Sequence, residues 1–268
     1  MQTVRNRVAD ILGIDLPIVQ APMNYIAGHA LAAAVSAAGG MGVLGPNAGK
    51  VQGEEISMRE RTLREFARIR EVTDKPVGIN VVVPDGENKA ALMYARSTVE
   101  AAAEGGATAA FCVGGLQPTI FELIKEKGMK LIVRPLTPTV KNAREAQAMG
   151  ADIFVATGYD AGGFLPSHHT GTFSIVPTIV DAVTIPVLAA GGINDLRGVR
   201  AAFALGAEGV YVGTRFIATN ECAANDHAKE LICKLSGSNL LYVDETQRSL
   251  PTEFAAEAYV KHRLAPTA

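Results

Sequence analysis

The chain has 268 residues, 48% of them hydrophobic and 19% charged, which is enough to bury a full core in one or two domains and too apolar for disorder. Its 25 basic residues against 27 acidic ones leave a formal charge of -2, so it carries no electrostatic footprint for nucleic acid or an anionic membrane. Three cysteines, Cys112, Cys222 and Cys233, show neither disulfide-framework nor metal-ligand spacing, which predicts a reduced, cytoplasmic protein with no metal site.

Along the chain, residues 1–10 mix charged and apolar side chains and hold no apolar core of the signal-peptide kind. The first strand is expected over 18–23 and ends in Gln20-Ala21-Pro22-Met23-Asn24. Residues 30–45 are Ala- and Gly-rich and broken at Gly39, Gly40 and Gly42, so they read as helix, turn and strand (42–45) rather than a membrane span. Further strands are expected over 77–83, 109–113, 131–135, 153–157, 187–190 and 210–213, with helices over 57–70, 89–103, 117–126, 139–149 and 195–205. The strands are continuous apolar runs, as in a parallel sheet buried on both faces. Gly39, the pair Gly105-Gly106, Gly128, Gly150 and Gly206 sit where helices hand over to strands, a place that favours positive φ, and Pro76 and Pro186 open strands. Eight β-then-α units predict a single-domain α/β protein, a (β/α)8 TIM barrel over about 14–217 with a helical extension over about 218–268, and Cys222 and Cys233 on its last helix. A doubly wound sheet usually has fewer strands.

In such a barrel the chemistry sits at the C-terminal strand ends. Gly191 and Gly192 close the seventh strand, and Gly213 and Thr214 close the eighth. Glycines let backbone N–H groups approach an anion, and the loops after these two strands are the usual phosphate site of the fold. Asn194 or Asp195 is expected to cap the helix that follows. Arg134 ends the fifth strand, where it meets either an anion or a carboxylate partner. In the loop after the sixth strand Asp160 reads as a turn acceptor, and Thr170, Thr172 or Ser174 as a cap for the next helix. Arg215 reads as a structural tether and Cys112 as a small core residue.

Five segments, Ala21-Pro22-Met23, Gly78-Ile79-Asn80, Asp160-Ala161-Gly162-Gly163, Ala189-Ala190-Gly191-Gly192-Ile193 and Gly209-Val210-Tyr211-Val212-Gly213-Thr214-Arg215-Phe216, resemble the signature segments of the nitronate monooxygenase (2-nitropropane dioxygenase) family. That family includes FMN-dependent enoyl-acyl carrier protein reductases and NAD(P)H:quinone reductases. The resemblance implies FMN as cofactor, its phosphate held by Gly191, Gly192, Gly213 and Thr214. It also implies that Ala21, Pro22 and Met23 line the isoalloxazine ring, Asn80 hydrogen-bonds it, and Gly158, Gly162, Gly163 and Arg134 complete the cofactor site. Read without the family, Met23 is equally a packing methionine and Asn80 a satisfied buried amide.

The pattern breaks at Phe164, where family members place a catalytic His directly after Ala-Gly-Gly. His168 and His169 follow closely and are the candidate catalytic residues, against a reading as solvated loop histidines. Oxidation of alkyl nitronates by O2 is the expected activity, since a nitronate arrives already ionised and needs no base. NAD(P)H-dependent reduction of an enoyl thioester or quinone is the alternative, with the nicotinamide docking transiently because no Gly-x-Gly-x-x-Gly fingerprint is present. A flavin-binding protein without turnover is a third reading. A homodimer is expected only from the general habit of such barrels. Beside its relatives the chain looks trimmed, which implies a more open flavin face.

Overall fold

The computed structural model describes residues 6–264. Eight parallel strands alternate with helices: β1 (Ile18–Gln20), β2 (Gly42–Leu44), β3 (Val77–Val83), β4 (Ala109–Gly114), β5 (Lys130–Arg134), β6 (Ile153–Thr157), β8 (Val187–Ala190) and β9 (Gly209–Val212), while the two-residue strand β7 (Gly163–Phe164) lies outside this sheet. The parallel sheet runs β1-β9-β8-β6-β5-β4-β3-β2. A parallel bridge between Val19 and Met41, with Gln20 N–H donating to Met41 O at 2.9 Å, brings the two edges together and nearly closes the barrel. The seventh and eighth barrel strands are thus β8 and β9.

Side chains alternate along each strand, and the two sets separate cleanly. Val19, Val43, Phe111, Ile132, Val155, Leu188 and Tyr211 form one buried cluster inside the barrel. Their neighbours Val81, Cys112, Val133, Phe154, Ala189 and Val210 pack against the surrounding helices. The helix α1 (Arg7–Leu12), which the apolar pattern does not announce, adds Val8 and Leu12 to the interior cluster and plugs that core.

Around the sheet run α2 (His29–Ala37), α3 (Met58–Arg70), α4 (Lys89–Glu104), α5 (Pro118–Glu126), α6 (Val140–Ala148), α7 (Thr172–Val180) and α8 (Leu196–Ala204). Ser57 and Thr139 start α3 and α6 with capping boxes, and Asp195 caps α8 by accepting from Arg197 N–H at 2.8 Å. The cap of α7 differs from expectation. Gly171 occupies the position, and the carboxylate of Asp160 accepts the Thr172 N–H at 2.6 Å.

The tail corrects the expectation of a helical extension. After α9 (Thr214–Ile217) and α10 (Asp226–Lys234) the chain forms an antiparallel hairpin, β10 (Leu241–Asp244) and β11 (Gln247–Ser249), before α11 (Glu253–Leu264). An aliphatic and aromatic run, Leu240 to Val243, followed by the polar turn Asp244 to Thr246, is hairpin chemistry. The hairpin persists because β7 supplies a third strand, pairing Gln247 with Phe164 and Arg248 with Gly163. Cys222 accordingly lies in the loop before α10, with only Cys233 on a helix. No helix among the described residues is long and apolar enough to cross a membrane.

Candidate cofactor site at the barrel mouth

Four polar side chains sit on the inward-facing register of the strands: Asn80, Arg134, Thr157 and Tyr211. Asn80 is buried and its amide donates to Phe111 O across β3 and β4 at 3.1 Å. The Arg134 guanidinium makes no hydrogen bond or ion pair with another described residue, and burial pulls its pKa below the usual arginine value. Tyr211 lies close enough to share its field and packs 6.0 Å from the Phe111 ring; burial pushes its phenol well up, so it stays neutral. The hydroxyl of Thr157 is buried without a partner. A half-buried, partly desolvated cation with no counter-ion carries a cost. The mouth is therefore built for something that is not protein, carries negative charge and accepts hydrogen bonds.

Beside this floor, three glycine loops converge. Gly191 and Gly192 follow β8 with φ of 110° and 68°, both in the left-handed region. A Cβ on Gly191 would stand 2.7 Å from Thr172 Oγ1 and 3.1 Å from Ala161 N. One on Gly192 would meet Asp160 Cβ at 3.2 Å, and one on Gly162 would meet Thr214 Oγ1 at 2.9 Å. Gly213 faces the first strand, with Ala21 Cβ 3.7 Å and Met23 Sδ 4.0 Å from its would-be Cβ. Gly158 packs directly against Thr172, whose hydroxyl donates to Gly191 O at 3.1 Å. The N–H groups of Gly162, Gly192, Gly213 and Thr214 make no hydrogen bond with another described residue. Backbone donors left free in a concavity form an anion site.

The structure thus brings Ala21, Met23, Gly158, Gly162, Gly191, Gly192, Gly213 and Thr214 together, and places Asn80 midway along β3 and Arg134 at the end of β5, with β4 between them. Pro22 is half-buried between Ala21 and Met23. Gly163 belongs to β7, beside the cradle rather than in it. His168 and His169 are exposed in the loop before α7, and the His169 ring lies tilted against the Tyr159 ring with centroids 4.4 Å apart. Phe164 lies in β7 and is 63% exposed. Thr157 and Tyr211 escape a motif-based reading; only the alternation of inward and outward positions along β6 and β9 points to them.

A family model described as nitronate monooxygenase matches residues 5–267. The chain belongs to the nitronate monooxygenase family. The family match takes in the barrel, the glycine loops and the hairpin alike. Among curated relatives, a (3aS,4S,5R,7aS)-5-hydroxy-7a-methyl-1-oxo-octahydro-1H-indene-4-carboxyl-CoA dehydrogenase of Rhodococcus jostii is 34% identical over 235 residues, covering 85% of this chain and 60% of that protein. A probable nitronate monooxygenase of Staphylococcus saprophyticus is 31% identical, covering 84% of this chain and 72% of that one. The solved structure of FabK from Thermotoga maritima superposes with a TM-score of 0.81 at 34% identity, covering 95% of this chain and 77% of that one. This member of the family spans about three fifths of the length of the first curated relatives it matches.

Proposed function

We propose that this chain is an FMN-dependent oxidoreductase that oxidises alkyl nitronates with O2. The observation that carries the reading is the pairing of an anion cradle of free backbone donors with an uncompensated arginine at the barrel mouth. The residues present fit FMN. Gly162, Gly192, Gly213 and Thr214 offer N–H groups for the phosphate, and Gly158 and Gly191 let their loops pack closely against Thr172, where a side chain would clash. Ala21, Pro22 and Met23 form an apolar wall for the ring, with Gly163 shaping the loop edge, and Asn80, Arg134 and Thr157 supply its polar anchors. Bound there, FMN would supply the redox chemistry that links oxidation of the substrate to reduction of O2.

The chain's own contribution is binding and charge. Arg134 offers its guanidinium to the electron-rich ring edge or to the anionic nitronate. A nitronate is already deprotonated, so turnover proceeds with Phe164 where relatives carry a histidine. His168 and His169 take the acid or base role for a neutral nitroalkane, whose α-proton must first be removed. Oxygen uptake by FMN-loaded protein tests this. Propyl-2-nitronate should support uptake in the wild type, in His168→Ala and in His169→Ala, while uptake with neutral 2-nitropropane falls in one of the two variants. No uptake with the nitronate overturns the reading.

The likeness to a carboxyl-CoA dehydrogenase supports a second reading, NAD(P)H-dependent reduction of an enoyl thioester or quinone at the same FMN, with the nicotinamide docking transiently. NADH or NADPH consumption dependent on such an acceptor is its signature.

A further inference from the structure

The C-terminal hairpin does more than cover the barrel. Arg248 on β11 reaches back 88 residues to donate through Nη2 to Asp160 O at 2.7 Å, and the same nitrogen donates to Ala161 O. Its guanidinium lies 5.9 Å above the Tyr242 ring, and Tyr242 stacks on Tyr159 at 6.0 Å. Leu165 N–H donates to Thr246 O at 2.6 Å, so the hairpin holds both ends of the segment from Tyr159 to Leu165.

The peptide bond is planar and trans, so its C=O and N–H point in opposite directions. Arg248 pulls the Ala161 carbonyl toward the hairpin and thereby turns the Gly162 N–H the other way. Gly162 is the residue whose face meets Thr214 Oγ1, and its N–H is one of the free donors of the cradle. Arg248 forms no ion pair with a carboxylate among the described residues, so its charge also stands uncompensated beside the cradle.

We propose that Arg248 is a positioning residue for the phosphate end of the cofactor: it aims the Gly162 N–H into the cradle and sets a positive charge behind it. The proposal rests on the reading of the cradle as the FMN phosphate site. It predicts a loss specific to the phosphate. Binding of FMN and of riboflavin, which has the same ring and no phosphate, is measured by quenching of flavin fluorescence in wild type, Arg248→Met and Arg248→Lys. Arg248→Met should weaken FMN by about tenfold or more, the size of one charge-assisted hydrogen bond, while riboflavin binding stays within about twofold of wild type by the same reasoning. Arg248→Lys should recover part of the FMN affinity, because the charge and a single donor nitrogen return without the planar guanidinium that lies over Tyr242. Equal weakening of both flavins, or no change in either, overturns the role of Arg248. A wild-type protein that binds riboflavin as tightly as FMN, or binds neither, instead overturns the phosphate cradle itself, and the proposal falls with it. Should Arg248→Met fail to fold, Arg248→Lys decides: FMN affinity equal to wild type contradicts the need for a guanidinium at this position.

Discussion

Arg134 enters the barrel interior with no carboxylate to meet it, and a protein keeps such a charge only where function requires it. Replacing it with Met removes an uncompensated, half-buried cation and keeps most of its apolar stem. Arg134→Met should therefore leave the thermal midpoint unchanged or raised, while kcat/KM for a nitronate falls by about 10- to 100-fold, the range of a hydrogen bond to a charged group. Thermal melts beside steady-state kinetics read both; a large loss of stability would mean that Arg134 is a structural residue. Arg134 is legible in the sequence because it ends a recognisable apolar strand, and Asn80 because it is a polar residue inside one. Thr157 and Tyr211 are not, because a strand buried on both faces gives no hydropathy contrast between its two sides. Arg248 is less legible still: its partners lie in a loop far away in the chain, and its own neighbours say nothing of them.

Glycine joints make the elements readable. Gly39, Gly106, Gly128, Gly150 and Gly206 all take positive φ where a helix gives way to the next strand. The hairpin stays hidden because two short strands are marginal alone and depend on β7, itself only two residues long. The glycines in and beside the cradle separate into two kinds. Gly163 has φ of 73° with nothing within 4 Å of a would-be Cβ, whereas Gly191 has φ of 110° and would drive a Cβ to 2.7 Å from Thr172 Oγ1. Gly163→Ala should cost about 1 kcal/mol of stability from backbone strain alone. Gly191→Ala should cost more, and should weaken FMN binding as the loop shifts. Denaturant unfolding and flavin titration of the two variants check the order; equal costs would contradict the close packing at Gly191.

At the scale of the whole molecule, burial of ionisable groups sets both reactivity and pH response. Cys112 and Cys222 are buried and Cys233 is exposed, so a thiol reagent should find one fast site in the native protein and three after unfolding. Burial pushes the Cys112 thiol and the Tyr211 phenol up from their ordinary values. The unfolded chain then releases these protons first, from about pH 8.5 for the thiol and about pH 10 for the phenol. Stability is full below those values and falls as pH rises through them, by up to about 1.4 kcal/mol per pH unit for each group. Thermal melts from pH 7 to 11 should show this decline, and a flat profile would contradict the burial of both groups. The most direct test of the central claim is anaerobic mixing of the FMN-loaded protein with propyl-2-nitronate, followed by flavin absorbance. The account predicts bleaching by the nitronate alone and return of the yellow colour when O2 is admitted. A flavin that stays yellow with nitronate but bleaches with NADH or NADPH would contradict it.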